Sequence, residues 1–228
     1  MLKNSFLLTA LWISVVLVAA SPATAQDHFI LNDGSAIQYY LALPRDDSQS
    51  SWPLAIFMGG GSGNRPISFT AYRYFATELA SLGWVVAVPI SPNNRSFRGD
   101  NVAKVRELIA HLQARDDIEE GKLLIGGISA GGGSALEIAR LNPQDFLGVL
   151  AVPAVIDDAG DIDTLSGMPV YLRIGGEDEL GWADRFEETV TAFETVGVQL
   201  DAAILPGQPH MFSLDWERLE DWLEPLHP

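Results

Sequence analysis

The sequence predicts an α/β fold: a mostly parallel central sheet with helices on both faces, an N-terminal antiparallel hairpin and no cap domain. Three observations predict it. Short continuous apolar runs, such as Leu54-Ala55-Ile56-Phe57-Met58, mark strands buried on both faces. Segments of helical periodicity separate these runs, as crossovers between parallel strands require. Glycine-rich stretches close several runs at their carboxyl ends, which is where open α/β sheets bind ligands.

The elements follow in order. Residues 28–31 and 37–43 read as two strands around Asn32-Asp33-Gly34, a hairpin turn signal. A polar loop over 44–51 leads to the buried strand 54–58, which ends in Gly59, Gly60 and Gly61. Residues 69–82 read as a helix closed by Gly83. A buried strand over 84–90 ends at Ser91-Pro92. Residues 101–114 form an amphipathic helix with Val102, Val105, Leu108, Ile109 and Leu112 on one face. The strand 122–125 runs into Gly126-Gly127-Ile128-Ser129-Ala130-Gly131 and a helix to about 141. Strands at 146–152, 170–174 and 199–205, with helices near 183–195 and 213–223, complete the pattern.

Composition removes several functions. The 228 residues include 14 Lys and Arg against 30 Asp and Glu, a formal charge of -16. Neutralising nucleic-acid phosphates needs clustered basic residues, and an anionic membrane surface repels such a chain. No nucleic-acid or membrane partner is therefore expected. The absence of cysteine excludes disulfides, thiolate metal sites and a cysteine nucleophile. Residues 1–25 read as a secretory signal peptide. Lys3 precedes an uncharged apolar run over 6–20, and Ala23-Thr24-Ala25 offers a small-x-small cleavage site. The run is short for about 30 Å of hydrocarbon, which disfavours an uncleaved anchor. The expectation is an exported protein, periplasmic or secreted, with residues 26–228 as a single domain.

Gly127-Ile128-Ser129-Ala130-Gly131 is a Gly-x-Ser-x-Gly pentapeptide between a buried strand and a helix. That context suits a nucleophile elbow, in which a strained turn exposes the serine hydroxyl. A nucleophilic serine needs a base, and the base needs an orienting group. Of His28, His111, His210 and His227, only His210 falls on a loop at the carboxyl end of an expected sheet strand. The acid is expected between serine and histidine in chain order. Asp178, after Gly175-Gly176-Glu177, is the first choice; Asp157 and Asp158 are second choices, and Glu177 and Glu179 flank it. Two donors for a tetrahedral oxyanion are expected from the backbone N–H groups of Ala130 and Gly60, with Gly61 the next candidate.

Gly59-Gly60-Gly61 after a strand, the 127–131 elbow, the 175–178 segment and Pro209-His210 together resemble the α/β-hydrolase superfamily across residues 26–228. Within it the chain looks like small lid-less serine esterases of the dienelactone-hydrolase, carboxylesterase and polyhydroxyalkanoate-depolymerase type. The departures are Ser129 where dienelactone hydrolases carry cysteine, Met58 where the oxyanion segment usually has histidine, and Pro209 where glycine often precedes the histidine. The resemblance implies a serine carboxylic-ester hydrolase with Ser129, Asp178 and His210 as its triad, working without metal or organic cofactor. The short connection over 157–167 leaves no room for a cap, so short-chain or exposed, even polymeric, esters are the expected substrates. Met58, Gly61, Trp182 and Met211 are candidate substrate contacts. The alternatives are a serine peptidase or amidase of the same fold, or a non-catalytic binding protein that keeps the fold. The sequence leaves the oligomeric state open.

Overall fold

Each apolar run expected to be a strand is one. They are β1 (Gln26–Ile30), β2 (Ala36–Ala42), β3 (Leu54–Met58), β4 (Val85–Ile90), β5 (Leu123–Gly127), β6 (Phe146–Ala151), β7 (Pro169–Gly175) and β8 (Gln199–Leu205). The structure, a computed structural model, describes residues 26–45, 49–156 and 162–228. The expected signal peptide and the second-choice acids Asp157 and Asp158 lie outside the described residues.

The eight strands form one sheet in the order β1-β2-β4-β3-β5-β6-β7-β8. β1 and β2 pair antiparallel, as do β2 and β4; every later pairing is parallel. The hairpin turn places Gly34 at φ 81°, a conformation glycine adopts without a Cβ clash.

Among the described residues, six α-helices cover the sheet: α1 (Arg65–Ala71), α2 (Thr77–Ser81), α3 (Asp100–Gln113), α4 (Ala130–Leu141), α5 (Phe186–Val196) and α6 (Trp216–Leu223). A π-helical turn, Tyr72–Ala76, joins α1 to α2. The first helical stretch therefore starts four residues before the expected 69. The Asn64 side chain accepts a hydrogen bond from the Ile67 amide at 3.3 Å, and Pro66 occupies the first turn, where its missing N–H costs nothing.

Strand alternation sends Leu54, Ile56 and Met58 of β3 into one core and Ala55 and Phe57 into the other. The first core is roofed by α3, α4 and α5, which contribute Leu108, Ile138 and Phe193. The second is roofed by the α1–α2 stretch and α6, through Leu79, Leu219 and Leu223. The strand order explains the division. The β3-to-β4 crossover runs one way along the sheet, and the later crossovers run the other. Right-handed connections then put their helices on opposite faces. The reversal opens a crevice between the adjacent carboxyl ends of β3 and β5, the switch point at which such sheets bind ligands.

Candidate active site

β5 ends at Gly127 and α4 begins at Ala130, so the chain must turn sharply at Ile128 and Ser129. Ser129 takes φ 57° and ψ -122°, a strained conformation for a residue with a Cβ. Main-chain bonds hold it there. The Ile128 amide donates to the Met58 carbonyl at 3.0 Å, Ser129 to Pro153 at 2.9 Å, and Gly131 to Ile128 at 2.8 Å. The glycines of the pentapeptide are steric necessities. A Cβ on Gly127 would lie 2.7 Å from the Met58 oxygen, and one on Gly131 would lie 2.6 Å from the Gly59 oxygen. Backbone that close leaves no room for a methyl group.

His210 and Asp178 stand on the loops after β8 and β7, both buried. Asp178 Oδ2 lies 2.7 Å from His210 Nδ1, and His210 Nε2 lies 2.9 Å from Ser129 Oγ. The second oxygen of Asp178 accepts the Leu180 amide at 2.8 Å, which fixes the carboxylate's rotation. The two loops are laced to each other. Gly176 N donates to Leu205 O and Glu177 N to Gln208 O, both at 2.8 Å. Gly175 permits this approach, because a Cβ there would overlap the Pro209 carbonyl.

Glu179 was seen in the sequence only as a neighbour of Asp178. Its Oε2 accepts the His210 main-chain N–H at 2.9 Å, and this bond holds its carboxyl below the usual carboxylate range. The cluster Glu177-Asp178-Glu179 was the available signal, but nothing in it says which carboxylate grips the ring and which the main chain.

Gly60 lies against the serine: a Cβ on it would sit 3.2 Å from Ser129 Cβ and 3.1 Å from the Ile128 oxygen. Among the described residues, the N–H groups of Gly60 and Ala130 have no hydrogen-bond acceptor. Both are therefore free to donate to an oxygen bound beside Ser129. Gly61 is exposed at φ 51°, on the rim of the same loop. Trp182 meets the His210 ring edge-on with centroids 4.9 Å apart. Met211 is 51% exposed, and Leu180, absent from the sequence-based candidates, is 59% exposed.

Met58 is a correction. Its side chain is fully buried in the core beneath α3 and α4, so it offers no surface to a substrate. Strand parity dictates this, since Met58 shares a face with Leu54 and Ile56. The other histidines are engaged elsewhere in packing or stand on an edge strand. His111 stacks on Phe29 at 4.2 Å, His227 Nε2 lies 3.0 Å from the Leu82 oxygen, and His28 is on β1. No group of three or more His, Asp or Glu able to hold a metal occurs among the described residues. None of the described helices is long and apolar enough to cross a membrane.

The architecture has solved counterparts. A thermostable esterase matches at TM-score 0.63 and 16% identity over 80% of this chain; the chain spans about half (54%) of that protein. Est1E from Butyrivibrio proteoclasticus matches at TM-score 0.65 and 14% identity, over 88% of this chain and 96% of its own. An S-formylglutathione hydrolase from Agrobacterium tumefaciens matches at 0.66 and 15% identity, over 90% and 96%. The chain has the α/β-hydrolase fold. No family model matches it, and no curated protein is similar to it in sequence. At these identities the likeness establishes the α/β-hydrolase fold alone.

Proposed function

We propose that the protein is a serine carboxylic-ester hydrolase working through an acyl-enzyme. The observation that carries this reading is the Asp178–His210–Ser129 chain, with contacts of 2.7 and 2.9 Å in series. Ser129 Oγ attacks the acyl carbon as His210 Nε2 takes its proton. The tetrahedral oxyanion lies between the N–H groups of Ala130 and Gly60, each well-placed donor contributing roughly 3–4 kcal/mol. His210 then returns the proton to the departing alcohol. Water then gives a proton to His210 as it attacks the acyl carbon; His210 passes that proton to Ser129 Oγ as the acyl–oxygen bond breaks and the acid leaves. Asp178 fixes the imidazole orientation and stabilises its protonated form. No step requires a metal or cofactor.

The rim favours uncharged esters with an apolar portion. Leu180, two residues after Asp178, and Met211, next to His210 in the chain, expose apolar side chains, and Trp182 leans on the imidazole. The carboxylates of Glu177 and Glu179 and the overall charge of -16 disfavour anionic substrates. We further propose export after cleavage behind Ala25, supported by the apolar run and small-residue site before Gln26. An N-terminal sequence that begins at Met1 in the exported fraction would refute that cleavage.

The deciding experiment is a panel of p-nitrophenyl and polymeric esters graded by acyl length. Wild type is expected to hydrolyse the short and exposed members. Ser129→Ala should lose about a millionfold in kcat. Ser129→Ala turning over at the wild-type rate would remove the serine from the mechanism.

A further inference from the structure

We propose that Glu179 is a positioning residue for His210. Its carboxylate anchors the main chain that carries the imidazole, and it places a second negative charge beside the ring. The proposal rests on His210 being the base. Asp178 and Glu179 are consecutive, yet they grip one residue at two points. Asp178 Oδ2 holds ring Nδ1 at 2.7 Å, and Glu179 Oε2 holds the main-chain N–H at 2.9 Å. Among the described residues, this is the one hydrogen bond of the His210 main chain. The lacing between the two loops ends two residues earlier, at Gln208. Without Glu179, Pro209 and His210 would hang from that point by the ring alone.

The charge matters as well as the bond. The main-chain bond from His210 is the largest cause of Glu179's depressed titration, and the positive charge of His210 adds to it. That coupling is mutual, so an ionised Glu179 favours the imidazolium that forms as Ser129 attacks. Among the described residues, the charged groups hydrogen-bonded to His210 are Asp178 and Glu179, both from the loop after β7. The elbow faces it with the Ser129 hydroxyl and the α5 approach with the uncharged Trp182 ring. Glu177 is exposed on the same loop, and its amide is bonded to Gln208.

Two variants separate bond from charge. Glu179→Gln keeps an oxygen acceptor and removes the charge; Glu179→Ala removes both. With p-nitrophenyl acetate, Gln should lower kcat no more than about threefold and move the acid limb of kcat/KM to lower pH. Ala should lower kcat about thirtyfold with KM within about twofold of wild type. Amide hydrogen exchange at His210 should accelerate in Ala and stay slow in Gln. A wild type inactive on every ester would refute the proposed function, whereas the exchange experiment still reads the clamp. Exchange at His210 no faster in Ala overturns the proposal. So does a Gln variant as slow as Ala, because Gln keeps the acceptor that holds the His210 main chain. If Ala does not fold, kcat and His210 exchange in the Gln variant decide: a fall of about thirtyfold or fast exchange, although the acceptor is kept, overturns the proposal.

Discussion

The elbow that carries Ser129 stands over the centre of the sheet, on β5 between β3 and β6, whereas Asp178 and His210 stand on loops over the β7–β8 edge. The two halves are held by different physics. Around Ser129, every residue of β3, β4 and β5 is buried, and backbones pack so closely that only glycine fits at 127 and 131. Around His210, β8 is largely half-exposed, and the loops are tied by hydrogen bonds and two carboxylates. Sterics set the first half and are indifferent to pH. Hydrogen bonds to ionised groups set the second, so the pH response of the site should reside there.

The largest effect should come from overfilling the first half. Gly131→Ala drives a methyl group into the Met58 and Gly59 carbonyls, which belong to the strand end and cannot yield cheaply. A cost of about 3 kcal/mol is expected, with a fall in Tm of about 10 °C and loss of ester hydrolysis. The deficit should be the same at pH 5 and pH 8, as a calorimetric series would show. A deficit that varies with pH would break the contrast between the halves.

Next comes Asp178→Asn, which alters chemistry and spares packing. The amide keeps the size of the carboxylate but presents the wrong group to Nδ1 and cannot stabilise the imidazolium. A fall of roughly 10⁴ in kcat is expected, by analogy with other serine triads. A wild-type rate would move the acid elsewhere. Smaller still is Gly60→Ala. Its Cβ would sit 3.1 Å from the Ile128 oxygen and 3.2 Å from Ser129 Cβ, tight contacts that ask for shifts of a few tenths of an ångström. The N–H would move with the loop, so kcat should drop about tenfold while Tm changes little. An unchanged kcat would take Gly60 out of the oxyanion site.

The contrast also explains what could be read from the sequence. The central strands were legible because full burial leaves continuous apolar runs, and the elbow because its glycines are compulsory. In space Gly60 lies against Ser129, and Ser129, His210 and Asp178 form one line of contacts. The start of α1 was missed because the period begins after the cap: Asn64 and Pro66 signal the first turn before any apolar residue does. The π turn at Tyr72–Ala76 adds a residue to one turn and left no recognised mark. Met58 follows the parity of Leu54 and Ile56, which the alternation along β3 already carries in the sequence. The role of Glu179 was not legible at all, because a carboxylate bound to a main-chain N–H 31 residues away places no demand on the identity of its partner.

The smallest effect tests the second half alone. The bond from the His210 amide favours ionised Glu179, so its folded pKa lies below the ordinary value of 4.5. A group depressed in this way stabilises the fold fully above its unfolded pKa, and loses that contribution as pH falls through the folded value. Wild type should therefore melt slightly above Glu179→Ala at pH 7, with the gap narrowing below about pH 4.5. Salt should narrow it too, because this carboxylate is exposed. Gly131→Ala, measured alongside, should show neither trend. A gap at Glu179 that survives at low pH and high salt would mean the loop is held by packing, as the elbow is, and the distinction between the two halves would fail at its most exposed point.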